Sequence, residues 1–243
     1  MRRRTLFGAG CGLLLAGRAW TQTATEVDLL LVLAADVSQS MQDRDLRLQR
    51  RGYAEALRDA EVQGAIASGA NAAIGLLYME WSGVEDQRVL LPWTRIGDAE
   101  AAEGFASGLL EAPIRSGTWT SISGALAAAR RQMAAAPFTA PRRVVDVSGD
   151  GENNAGTPVE EERDAAVAEG IVINGLPILR FDARRSGAAP NGETALEEHY
   201  RRMVTGGPGA FTVRAQGLEN FSEAIRRKLI MEIAGLSPSA SDA

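Results

Sequence analysis

The sequence predicts an α/β fold: a doubly wound, mostly parallel sheet with helices on both faces and one antiparallel edge strand. Three observations predict it. Short apolar runs of strand length alternate with longer amphipathic stretches along most of the chain. The first of those runs is nearly unbroken, as a central strand covered on both faces requires. One run follows its predecessor after a turn too short for a crossover, which makes the two a hairpin at a sheet edge. Strands joined through helices imply right-handed crossovers, and in such folds ligands gather at the carboxyl ends of the strands, where strand order reverses.

Taken in order, Val27 to Ala35 is the apolar first strand. Asp43 to Gly64 reads as one helix, with Leu46, Tyr53, Ala54 and Leu57 on its apolar stripe. Ala72 to Tyr78 is the second strand, and the turn at Ser82-Gly83 leads into its hairpin partner, Gln87 to Pro92. Helices over Asp98 to Leu110 and Ile122 to Ala136 flank a loop from Ala112 to Ser121. Arg142 to Ser148 is a third apolar strand, ending in the turn Gly149-Asp150-Gly151-Glu152-Asn153-Asn154. Thr157-Pro158 followed by Glu160, Glu161 and Glu162 starts a helix, because proline fits the first turn and acids suit the positive end of the dipole. That helix reaches Glu169 and stops at Gly170. Ile171 to Leu179 is a strand, Thr194 to Val204 a helix, Ala210 to Arg214 a short strand and Leu218 to Ala234 a final helix. Between them, Arg180 to Gly192 reads as a loop able to contact a partner.

Length and composition fit one domain. At 243 residues, 45% hydrophobic and 23% charged, the chain is neither disordered nor fibrous, and it can bury a core without disulfides or a structural metal. Arg2, Arg3 and Arg4 precede the apolar run Leu6 to Ala16, and Gly17 and Ala19 supply small residues before a cleavage point. Residues 1–19 therefore read as an export signal, 20–26 as a linker, 27–235 as the domain and 236–243 as a tail. The apolar run is too short for a membrane span. Arg3-Arg4-Thr5-Leu6-Phe7 also resembles a twin-arginine signal. A periplasmic or secreted location follows, with no stable transmembrane segment after cleavage.

Removing the signal takes away Arg2, Arg3, Arg4 and Arg18, leaving 22 basic residues against 31 acids, a net charge of minus nine. No basic block remains as a nucleic-acid footprint. The one cysteine, Cys11, leaves with the signal, which excludes thiolate metal sites and cysteine nucleophiles. His199 is the one histidine, so a multi-histidine metal site is excluded too. On its late helix it reads as a solvated or half-buried residue.

Oxygen donors remain, and they fall at strand ends. Asp36-Val37-Ser38-Gln39-Ser40 places a carboxylate and two hydroxyls at every second position as the chain leaves the first strand. Gly117-Thr118-Trp119-Thr120-Ser121 is a second hydroxyl cluster, and Asp150 between two glycines closes the third loop. Such a set suits a hard cation such as magnesium. Taken singly, Asp-x-Ser-x-Ser is also what a helix cap looks like. Asp146, between valines in a buried strand, needs a partner, either backbone amides or an arginine, with support of the metal loops as a second role. Trp119 either presents an aromatic contact surface or packs under its loop, and Trp81 carries the same two readings at the same edge.

These residues resemble the metal ion-dependent adhesion site of von Willebrand factor A domains, a Rossmann-like fold. Asp36-Val37-Ser38-Gln39-Ser40 matches the Asp-x-Ser-x-Ser motif. Thr120-Ser121-Ile122 with Ala125-Leu126 is similar to the family's second loop, and Gly149-Asp150-Gly151 to its third. The stretch from Ile74 through Thr94 looks like the second and third strands, and the likeness covers about residues 27 to 234. Asp146-Val147-Ser148-Gly149-Asp150-Gly151 with Asn153-Asn154 further resembles a bacterial branch of exported A-like proteins.

The resemblance implies that Ser38, Ser40 and Thr120 hold the metal, with Asp36 and Asp150 in or just beyond its coordination sphere. Thr118 competes with Thr120, whose spacing to Ala125-Leu126 fits better. The metal implied is Mg2+, with Mn2+ or Ca2+ as alternatives. A cation held mainly by neutral hydroxyls keeps charge and an open position, so it attracts an Asp or Glu of a protein partner. Trp119, Gln39 and Glu152 would contact that partner. Binding is expected in place of catalysis. A metal-dependent hydrolase or phosphatase using Asp36 or Asp150 is the alternative, but a dehalogenase-type phosphatase needs a second aspartate where Ser38 stands. A structural subunit with a vacant site is a further alternative.

Overall fold

The computed structural model describes residues 25–179 and 194–236. The expected signal, the loop from Arg180 to Gly192 and residues 237–243 of the expected tail lie outside these.

The strands are β1 (Thr25–Glu26), β2 (Leu29–Asp36), β3 (Ile74–Trp81), β4 (Gln87–Ile96), β5 (Phe138–Thr139), β6 (Arg143–Gly149), β7 (Val172–Leu179) and β8 (Ala215–Gln216). The helices are α1 (Asp43–Arg58), α2 (Ala60–Ala67), α3 (Ala99–Glu111), α4 (Ile122–Ala134), α5 (Val159–Ala168), α6 (Ala195–His199) and α7 (Phe221–Ala234). A six-stranded sheet runs in the order β4-β3-β2-β6-β7-β8. Its pairs are parallel except β3 with β4, the expected antiparallel edge. Thr25 and Glu26 form a separate two-residue pairing with Phe138 and Thr139.

Alternation along β2 divides the core. Leu29, Leu31, Leu33 and Ala35 face a cluster with Tyr53, Leu57, Phe221, Ile225 and Leu229 from α1 and α7. Leu30, Val32 and Ala34 face the other way, onto Ile122, Leu126 and Ala129 of α4 and Tyr200. All eight residues of β2 are buried, which is why its sequence is continuously apolar rather than alternating. The chain leaves β2 for β3 on one side and later returns to β6 on the other. Strand order therefore reverses between β2 and β6, and the crevice at their carboxyl ends is where such folds place ligands.

Several elements differ from expectation, among them β4, which runs on past Pro92 to Ile96. The long helix is two, because Asp59 ends α1 in an extended conformation and its carboxylate then accepts the amides of Glu61 and Val62 to start α2. The last strand lies later: Thr212 contributes an isolated bridge to Gly175, and Ala215–Gln216 pairs with Ile178 and Leu179. Past His199, the expected helix closes as a π-helical turn over Tyr200–Val204.

Helix α1 packs so closely on α7 that a Cβ on Gly52 would lie 2.5 Å from Phe221 Cδ1 and 3.3 Å from the Ser222 amide nitrogen. Gly52→Ala is expected to lose about 1–3 kcal/mol through overpacking, read as a lowered midpoint in thermal denaturation.

Candidate metal centre

Three loops meet at the β2–β6 crevice. The first is set by register: Ala35 lies opposite Ser148, so Asp36 emerges beside Gly149 and Asp150. Asp36 is fully buried. Its Oδ1 accepts the Ser38 amide at 2.7 Å, a local turn that aims Ser38 into the crevice. Ser38 Oγ lies 3.1 Å from Ser40 Oγ, and Ser40 donates to Asp150 Oδ1 at 2.5 Å. Side chains 110 residues apart in sequence thus share one hydrogen-bonded chain.

The second loop is held by groups whose pairing left no local pattern. Arg50 of α1 donates Nε to Glu80 Oε1 at 2.7 Å, and its other nitrogens reach the carbonyls of Ala112 and Pro113, where the loop begins. Arg88 takes the second oxygen of Glu80 at 2.6 Å. Further along, the Gly117 amide donates to the Val37 carbonyl at 2.8 Å, tying this loop to the first. Gly117 admits no side chain, since a Cβ would overlap the Ser82 hydroxyl. Ser121 caps α4 by accepting the Gly124 amide.

Asn153 and Asn154 lock the third loop to the second. Asn154 Oδ1 accepts the Thr120 amide at 2.9 Å, and the Asn154 amide donates to the Thr120 carbonyl at 2.8 Å. Asn153 Oδ1 accepts the Ser123 amide at 3.2 Å. The two asparagines are visible in sequence, but the loop they reach is not.

Thr120 is buried with its side chain beside Gly151, whereas Thr118 is exposed. Gln39 and Glu152 are exposed at the rim. Trp119 is 60% exposed, which decides for a surface position. Trp81 ends β3 opposite Asp36 but is fully buried in the core, so it offers no contact surface. His199 is half-buried, and its Nε2 accepts the Asn153 amide at 3.5 Å. Burial lowers its pKa against the opposing effect of Glu152 and Glu160.

Asp146 is partnered neither by backbone amides nor by an arginine. Its Oδ2 lies 2.8 Å from Nζ of Lys228, the chain's single lysine. That pair sits on the α7 side of the sheet.

Asp36 bears the electrostatic strain of the site. Burial first, and then the charge of Asp150, push its carboxyl up to about 7, against the Ser38 amide and hydroxyl and the Asp150 amide, which favour the ionised form. Its Oδ2 is buried without a hydrogen-bond partner. A carboxylate so placed fits a cation, which would supply the missing partner and favour ionisation. Among the described residues no group of three His, Cys, Asp or Glu could hold a metal. Any metal here rests on two carboxylates and hydroxyls, a donor set suited to hard cations.

The model of a family described as Protein of unknown function (DUF1194) matches residues 26–237. No curated protein matches the chain. Among solved structures, proximal thread matrix protein 1 from the mussel byssus, with a zinc-occupied MIDAS motif, is similar at TM-score 0.58 and 17% identity. That match covers 86% of this chain and 49% of the mussel protein, so the chain spans about half of that relative. A von Willebrand factor type A structure from Catenulispora acidiphila gives TM-score 0.56 and 15% identity, covering 85% of this chain and 43% of that one. The conserved hypothetical protein BatB from Bacteroides thetaiotaomicron gives 0.51 and 20%, covering 85% and 99%. The fold is of the von Willebrand factor A type.

Proposed function

The chain belongs to the family described as Protein of unknown function (DUF1194), and on its A-type fold we propose an exported module that binds a protein partner through a divalent metal. Ser38, Ser40 and Thr120 are the proposed ligands, with Asp36 and Asp150 in or next to the coordination sphere. What supports this most is the meeting of Ser38, Ser40 and Asp150 in one hydrogen-bonded chain beside buried Asp36, whose Oδ2 has no hydrogen-bond partner. Bound there, a cation such as Mg2+ supplies a positive centre able to take one carboxylate from outside. The hydroxyls add no charge to offset it, and the surrounding loops restrict what approaches. No helix of the described residues is long and apolar enough to cross a membrane.

Trp119 stands exposed on the loop between Gly117 and Thr120, beside Gly83 and outside the ligand set. It is the proposed aromatic anchor of the partner interface. In pull-downs from periplasmic extract, wild-type protein with Mg2+ is expected to retain a partner that EDTA releases. Trp119→Ala is expected to lose that partner at least tenfold while calorimetric Mg2+ affinity stays within twofold. Retention in EDTA rejects the metal-dependent reading. Equal loss of metal affinity in the variant rejects the division of roles.

A further inference from the structure

Lys228, Asp146 and Glu232 are buried together where nothing in the proposed binding role uses them. Lys228 Nζ lies 2.5 Å from Glu232 Oε1 and 2.8 Å from Asp146 Oδ2, with all three side chains fully enclosed. Asn174, opposite Asp146 in register, donates to the same Glu232 oxygen at 2.9 Å, and its Oδ1 accepts the Phe211 amide. Phe211 places its ring 5.7 Å from Nζ.

Two features set this apart from an ordinary ion pair. Three ionised groups would set two carboxylates against one amine in the core, a costly arrangement that Arg142, partly buried and bonded to the Glu232 backbone carbonyl, offsets in part from outside the cluster. Moreover, Asp146 Oδ2 meets the amine at 2.8 Å outside the angles of a well-formed hydrogen bond, and among the described residues no backbone amide donates to either of its oxygens. With a carbon–oxygen bond of about 1.23 Å, Cγ lies within about 4 Å of Nζ. Nucleophile and electrophile are thus held together in a dry, fixed site, where proximity replaces a bimolecular encounter.

We propose that Lys228 and Asp146 join in an intramolecular isopeptide bond, with Glu232 carrying the protons. The neutral amine attacks Cγ of the protonated carboxyl, Glu232 takes a proton from Nζ and delivers it to the departing hydroxyl, and one water leaves. The Nζ–Cγ bond forms, a Cγ–O bond breaks, and no oxidant or other reactant is needed. Burial favours the protonated carboxyl, as does Glu232, against the charge of Lys228. The product replaces the Lys228–Asp146 pair with one neutral amide, leaves Glu232 as it began, and links β6 to α7.

The test is mass spectrometry of the full chain, denatured and digested with trypsin. Cleavage follows Arg143, Arg163 and Arg227, and Lys228 is cut only if its amine is free. The expected product is peptide 144–163 joined to peptide 228–243, lighter than their sum by one water. Glu232→Gln, which preserves size, is expected to show the same two segments unlinked. Free Lys228, with cleavage after it, overturns the proposal. Linkage to the Asn174 peptide with loss of ammonia overturns Asp146 as the electrophile, and a fully linked Glu232→Gln chain overturns the role of Glu232.

Discussion

Asp36→Asn is expected to make the metal-free protein more stable than wild type at pH 8 and to abolish its stabilisation by Mg2+. The sign follows from the direction of the shift. Most native aspartates have a lowered pKa, and their stabilising contribution is lost in acid. Asp36 is raised from 3.8 to about 7, chiefly by burial. Between those values the folded protein binds more protons than the unfolded chain, so stability falls as pH rises through that window and levels off above it. At about 1.4 kcal/mol per unit, the penalty at pH 8 is on the order of a few kcal/mol. Asparagine keeps an acceptor for the Ser38 amide and removes the charge. Chemical denaturation from pH 4 to pH 8, with EDTA or with Mg2+, reads both effects. An unchanged pH slope in the variant would show that Asp36 does not carry the penalty.

The second large effect lies outside the loops. Arg50 and Glu80 are 2% and 1% exposed, and Arg50 also holds the carbonyls of Ala112 and Pro113. Arg50→Met leaves Glu80 buried with Arg88 alone and releases the start of the Thr120 loop. Removing one member of a buried pair costs about 3–5 kcal/mol, so a loss of that size is expected in urea denaturation. Weaker Mg2+ binding should accompany it in the molecules that stay folded. Arg50→Lys keeps the charge but cannot reach all three acceptors, and an intermediate result is expected. If metal affinity is unchanged in folded Arg50→Met, the loop is positioned by its other contacts.

Local pattern explains which parts of this arrangement were legible. The continuous apolar run of β2 and the polar residues that end it are properties of neighbouring positions, so the first loop could be read directly. Arg50 could have been found, since it falls on the apolar stripe of α1 with Leu46, Tyr53 and Leu57, an offence against the pattern that marks a buried charge. Lys228 and Glu232 do the same on α7 with Phe221 and Ile225. Asp59, followed by Ala60 and Glu61, is an N-cap signal inside what read as one helix. No comparable signal announces that Asn154 reaches Thr120, or that β8 is only two residues long and placed after Thr212. Those depend on contacts between segments far apart in the chain, which periodicity does not encode.

The most direct measurement is isothermal titration of the protein with Mg2+ and Mn2+ at pH 8, beside Ser38→Ala and Asp36→Asn. One dication per chain is predicted for the wild type, with affinity lost at least tenfold in both variants while their circular dichroism is unchanged. Absence of binding to the folded wild type, or equal binding by all three proteins, would contradict a metal centre at the β2–β6 crevice.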